Sequence, residues 1–184
     1  MSPPQGKDRL ISELAILLRN FVFGQQLSAD FMKDRGIAPR ITFTTETAEQ
    51  ASIDVRSLYV DATTGKMISP PEIVAQFRRG LSRAIVAESH ETIQVYCRET
   101  NQTVKHVAAP FYQFARIMRN VTSHERGGIL TQWPSNLSKK GITTIQWQNR
   151  TISASMIGQL IGLNDVEIIR LIKDEIEFIE TQLN

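Results

Sequence analysis

Apolar residues recur at helical spacing along most of this chain. Between Lys7 and Phe23 they stand at Leu10, Leu14, Leu17, Leu18 and Phe21, which places them on one helical face. Gly24 marks a break or bend, and "LSADFMKDRG" continues as a shorter helical turn or second helix from Ser28 that stops at Gly36 and Pro39. A second long pattern opens at "SPPE", where Ser69 and Glu72 have capping-box spacing and the prolines sit where a first turn tolerates them. From there Ile73, Val74, Phe77, Leu81, Ile85 and Val86 carry a helix to about Cys97 in spite of Gly80. "RETNQT" punctuates the chain, and the next helix begins near Pro110 and ends at Gly127-Gly128.

Period two replaces the helical period further on. Ile145 and Trp147 alternate with Thr144 and Gln146, and "QNR" separates them from "TIS", which predicts a small β-hairpin near residues 142–153. "GILTQWPSNLSKKG" before it has the composition of a loop, and "MIGQLIGL" after it reads as a short helix. Asn164 or Asp165 then caps a last helix carrying Val166, Ile169, Ile172, Ile176 and Ile179. Residues 40–68 are rich in Thr and mixed in period, and read as an insertion containing a strand and then a helix that ends before "TTGK". The pattern as a whole predicts an all-α fold with one small hairpin, a single domain over residues 1–184.

Charge narrows the chemistry. With 21 basic against 19 acidic residues the net charge is +2, so a nucleic-acid site has to be a local patch rather than a global field. Apolar runs such as "LAILL" fall far short of a membrane span, and "MSPPQGKDR" lacks the apolar region of a signal peptide, so a cytoplasmic protein is expected. Cys97 stands alone, and His90, His106 and His124 have no metal-ligand spacing, so neither a metal nor any other cofactor is expected.

The helix after Pro110 concentrates the candidate residues. On a wheel of about 100° per residue, Phe111, Phe114, Ala115, Ile117, Met118 and Val121 share one face. The other carries Arg116, Arg119, Asn120, Ser123 and His124, with Arg126 just beyond. These types suit phosphodiester chemistry. A guanidinium stays charged and holds two phosphate oxygens, while an imidazole takes or gives a proton near neutral pH. RNA brings its own nucleophile, the 2′-hydroxyl. A base for that hydroxyl, an acid for the leaving 5′ oxygen and a cation for the phosphorane cleave the chain without metal. One helix offers one histidine, so two copies facing each other across a twofold axis supply a fuller set.

Arg119 to His124 read as R-N-x-x-x-H, and there the chain resembles the HEPN domains (higher eukaryotes and prokaryotes nucleotide-binding). That all-α superfamily includes ribonucleases of CRISPR, toxin–antitoxin and abortive-infection systems. The order of elements is similar, and "MRNVTSHERGG" through "IQWQNRTIS" to the last helix looks most like the abortive-infection and plasmid-borne groups. The resemblance covers mainly the C-terminal half and leaves residues 40–68 outside. It implies a HEPN-like helical bundle, metal-independent cleavage of single-stranded RNA at a composite homodimer site, and a toxin or phage-defence role. Arg119 and His124 would be catalytic and Asn120 would orient them, with Arg116, Ser123 and Arg126 binding RNA. It also implies an antitoxin or other protein inhibitor as a partner.

Other readings stand beside these. The polar face can be an ordinary solvated one, with Arg119 paired to an acid such as Glu125, or the chain can be a non-catalytic module that binds RNA or a protein. Arg78, Arg79 and Arg83 form either a basic stripe or a solvated face. His90 and His106 read as surface or capping groups, Trp147 as core, Cys97 as a buried thiol, and "KDEIEFIE" as an ordinary amphipathic helix.

Overall fold

The computed structural model describes residues 6–34, 40–44, 50–54, 60–61, 63–123 and 128–184. In chain order the elements are α1 (Lys7–Asp34), β1 (Arg40–Thr44), β2 (Gln50–Asp54), α2 (Pro70–Glu99), α3 (Thr103–Ala108), α4 (Tyr112–Ser123), α5 (Ser135–Ser138), β3 (Thr144–Trp147), β4 (Arg150–Ser153) and α6 (Asp165–Gln182). The fold is mostly helical, the all-α class that the periodicity predicts, with the expected hairpin in place. Contacts gather the chain into two compact units, Met1–Phe21 with Leu81–Asn184, and Val22–Gly80.

Neither Gly24 nor Gly80 interrupts its helix. A glycine in a helix interior costs about 1 kcal/mol against alanine, too little to end a long run of helix formers. Of the expected break or bend at Gly24 the break is therefore absent, and α1 continues to Asp34. At the start of α2 the Ser69 carbonyl accepts from the amides of Glu72 and Ile73, at 3.0 Å each.

The larger unit is built on a buried cluster. Leu10 and Leu14 of α1, Ile85, Val86, Ile93, Tyr96 and Cys97 of α2, and one face of α4 all belong to it. Phe114, Ala115, Ile117, Met118 and Val121 are each 1% exposed or less, so the apolar face read from the wheel is the face that packs. A tight turn at Asn101, with φ of 58°, leads into α3, which the sequence pattern does not predict because six residues carry too little period to register.

The hairpin closes on this core. β3 and β4 pair antiparallel from Thr144↔Ser153 to Trp147↔Arg150, and Trp147 and Ile152 are buried. The Trp147 ring stacks on Phe114 with centroids 4.7 Å apart, and its indole N–H donates to Asp174 Oδ2 at 2.8 Å. "MIGQLIGL" does not form the predicted short helix. After a single 3-10 turn at Ala154–Met156, Gly158 takes φ of 85° and Leu160 bridges to Ile129. Two glycines in eight residues weaken any helix there, and the bridge satisfies the backbone instead.

Asn164 caps α6 as predicted, in a full capping box. The Glu167 amide donates to Asn164 Oδ1 and the Asn164 amide donates to Glu167 Oε2, both at 2.9 Å. Asn164→Ala is expected to cost about 1 kcal/mol, read as a lowered urea midpoint with an unchanged slope. The buried stripe of α6 runs through Ile168, Leu171, Ile172, Phe178 and Ile179. Of the predicted residues Ile172 and Ile179 are buried, Ile169 and Ile176 are half-buried and pack against the core, and Val166 is 55% exposed.

In the smaller unit β1 and β2 pair antiparallel, from Arg40↔Asp54 to Thr44↔Gln50. Part of the segment predicted to turn helical after its first strand is thus a second strand. Its β-branched and alternating residues, with Ile41 opposite Ile53, favour pairing. "DATTGK" forms a turn in which Asp61 Oδ1 accepts from the Thr63 and Thr64 amides at 3.0 and 2.7 Å. Those bonds hold the Asp61 carboxyl below its ordinary pKa. The rest of the predicted insertion lies outside the described residues.

Candidate functional site

The two faces of α4 divide core from chemistry. Opposite the buried face, Arg116, Arg119 and Asn120 are half-buried, and Ser123 is the last residue of the helix. His124 and Arg126, the other predicted site residues, lie outside the described residues.

Arg119 is engaged along its whole guanidinium. Nε and Nη2 donate to Glu91 Oε1 of α2 at 3.0 and 2.5 Å, and Nη1 donates to Asn120 Oδ1 at 3.1 Å. Among the described residues the acid that pairs with Arg119 is Glu91, on a different helix; Glu125 lies outside them. Arg119 and Glu91 side chains are 26% and 50% exposed, so the pair lies at the surface and solvent reaches it. The bond to Asn120 fixes that amide's orientation, because a guanidinium only donates. Arg116 is held by neutral groups, donating from Nη1 to Asn136 Oδ1 at 2.9 Å and to Gln113 Oε1 at 3.5 Å.

Between Arg116 and Asn120 of α4 and the loop that follows Gly128, a cavity of about 390 Å³ opens, with Leu130, Trp133 and Ser135 on its far side. Trp133 is fixed there by a hydrogen bond from its indole N–H to the Ile142 carbonyl at 2.8 Å. None of the loop residues carries a motif, so the sequence offers no signal for them beyond the tryptophan itself.

Behind the polar face, the histidines read as surface groups are buried. His90 and His106 are 3% and 1% exposed, with ring centroids 5.7 Å apart, and the His106 ring meets Tyr112 edge-on at 4.8 Å. Their packing is aromatic rather than polar. His90 Nδ1 and His106 Nε2 have no hydrogen-bond partner among the described residues. Burial lowers both pKa values to about 4, and for His90 the charges of Arg119 and Arg116 add to that effect. His90 therefore stays neutral at physiological pH and adds no cation to the site.

Two more groups differ from ordinary surface chemistry. Glu175, in the stretch read as an ordinary amphipathic helix, is wholly buried, and neither carboxyl oxygen has a hydrogen-bond partner among the described residues. Burial raises its pKa to about 8, with the charge of Asp174 adding to the rise and the neighbouring Ser89 opposing it. Cys97 is buried as expected, and burial pushes its thiol up to about 11, which keeps it unreactive. Among the described residues no three His, Cys, Asp or Glu side chains are grouped to hold a metal ion, and no helix is long and apolar enough to cross a membrane.

No protein-family model, curated protein or solved structure matches the chain.

Proposed function

We propose that the chain is a metal-independent endoribonuclease of the HEPN kind, which cleaves single-stranded RNA at a site completed by a second copy, in a toxin or phage-defence setting. The observation that carries this reading is the linked pair Arg119–Asn120, hydrogen-bonded at 3.1 Å on the open side of a helix whose other side is buried. A guanidinium held in one orientation meets a phosphate without first losing conformational entropy. Asn120 supplies that hold, as the R-N-x-x-x-H resemblance implies for it. His124 enters from its place in that motif, as the group that takes the 2′-hydroxyl proton or gives one to the 5′ oxygen. Attack by the 2′ oxygen breaks the P–O5′ bond and leaves a 2′,3′-cyclic phosphate and a 5′-hydroxyl.

The Glu91–Arg119 ion pair favours a second reading, a non-catalytic module that binds RNA or a protein through the same face. A carboxylate already on the guanidinium competes with a phosphate for it. Labelled single-stranded RNA incubated with the protein in EDTA separates the two. Cleavage with cyclic phosphate ends is expected, lost in His124→Ala and lost where the RNA carries 2′-deoxy sugars. Intact RNA, or equal cleavage of the deoxy-substituted strand, sinks the enzyme reading. A protein that stays monomeric at micromolar concentration with RNA present removes the composite site.

A further inference from the structure

The cavity beside Asn120 has an apolar lining and a polar edge. Its apolar lining comes from Ile117, Val121 and Leu130, each 3% exposed or less, and from Trp133 and Pro134. Arg116 and Asn120, one helical turn apart, supply the edge. The orientation of Asn120 is set by its partner: with Oδ1 turned to Arg119, the amide presents its NH2. Arg116 has only donors, and its partners are the neutral amides of Asn136 and Gln113, so its charge meets no carboxylate in those contacts. The α4 side of the cavity thus presents donors, while Gln132 of the loop lines it with both a donor and an acceptor.

We infer that this cavity receives a nucleobase of the RNA and that its donor edge selects guanine over adenine. At about 390 Å³ it lies in the size range of small-ligand pockets. Trp133 and Pro134 in the lining supply flat apolar groups of the kind on which a base stacks, and stacking is tolerant of sequence. Discrimination comes from the edge. Guanine offers two adjacent acceptors, O6 and N7, which a guanidinium meets together, whereas adenine sets an amino donor beside N7 and leaves donor facing donor. The inference rests on the ribonuclease reading for which nucleotide enters. Asn120 touches Arg119 on one side and lines the cavity on the other, so the base belongs to the nucleotide adjoining the phosphate at Arg119.

Isothermal titration of the whole chain with guanosine 5′-monophosphate, adenosine 5′-monophosphate and ribose 5-phosphate tests the pocket without any need for cleavage. The guanine nucleotide is expected to bind roughly tenfold tighter than either of the others, the discrimination of one bidentate contact. Arg116→Gln, checked for an unchanged thermal midpoint, is expected to bring the two nucleotides level. Ser135→Phe, at an exposed lining position, is expected to block both. Equal binding of the two nucleotides overturns the inference, as does ribose 5-phosphate binding as tightly as the guanine nucleotide, or an Arg116→Gln variant that keeps the preference. A guanine preference in a protein that does not cleave RNA upholds the pocket while the enzyme reading falls. RNA cleaved with no guanine preference in binding or cut site does the reverse.

Discussion

Arg119→Ala should slow metal-free cleavage of single-stranded RNA by roughly two to three orders of magnitude, the usual effect of removing one preorganised donor from a developing anion. Its stability should barely change. The bond to Glu91 joins side chains 26% and 50% exposed, and such pairs contribute within about 1 kcal/mol. A large loss of rate with a small shift in thermal midpoint is thus the signature of a phosphate-facing group rather than a structural one. Arg119→Lys should recover only part of the rate, because an ammonium cannot hold Asn120 and a phosphate in one plane. Glu91→Gln should act in the opposite direction, tightening RNA binding several-fold by removing a negative charge from beside the phosphate position, an effect that weakens as salt is raised. Arg119→Ala cleaving at the wild-type rate, or losing activity only together with its fold, would falsify the assignment.

The sequence disclosed what depends on near neighbours and hid what depends on distant ones. The buried face of α4 was legible because Phe111 to Val121 repeat at the helical period, and the Asn164 box because its two partners stand three residues apart. The hairpin was legible because Trp147 and Arg150 flank a two-residue turn. Glu91 and Arg119 lie 28 positions apart, and Arg116 and Asn136 lie 20 apart, so no local pattern announces either contact. The cavity follows from how a loop packs, which composition does not reveal. The buried polar groups did leave a signal. His90 falls on the stripe of Val86, Ile93 and Cys97, and Glu175 on that of Leu171, Ile172, Phe178 and Ile179, so a wheel centred on the observed stripe places each inside. What charge and polarity argued for them at the level of residue type, helical position overruled.

Glu175 should give the protein a stability that falls as pH rises from 6.5 to 8. In the folded chain burial raises its pKa to about 8, against 4.5 for an ordinary glutamate, so the folded state keeps a proton that the unfolded chain releases. The contribution of the protonated group is fully present below 4.5 and is lost progressively as pH climbs to 8. Each unit of that interval costs about 1.4 kcal/mol, and the whole of it about 5 kcal/mol as an upper bound. The histidines work from the other side. His90 and His106 are held neutral with pKa values near 4 against 6.5, so their contribution is present above 6.5 and is lost as pH falls towards 4. Between 4.5 and 6.5 two histidines outweigh one carboxyl and stability climbs with pH. Above 6.5 only Glu175 is left to titrate among the three, which sets a maximum near pH 6.5 and a fall of roughly 2 kcal/mol by pH 8. Urea unfolding at pH 6.5 and 8 measures it, and Glu175→Gln, which cannot ionise, should abolish the fall and stand above the wild type at pH 8. A wild type equally stable at both values, or a Gln variant that keeps the decline, overturns the account.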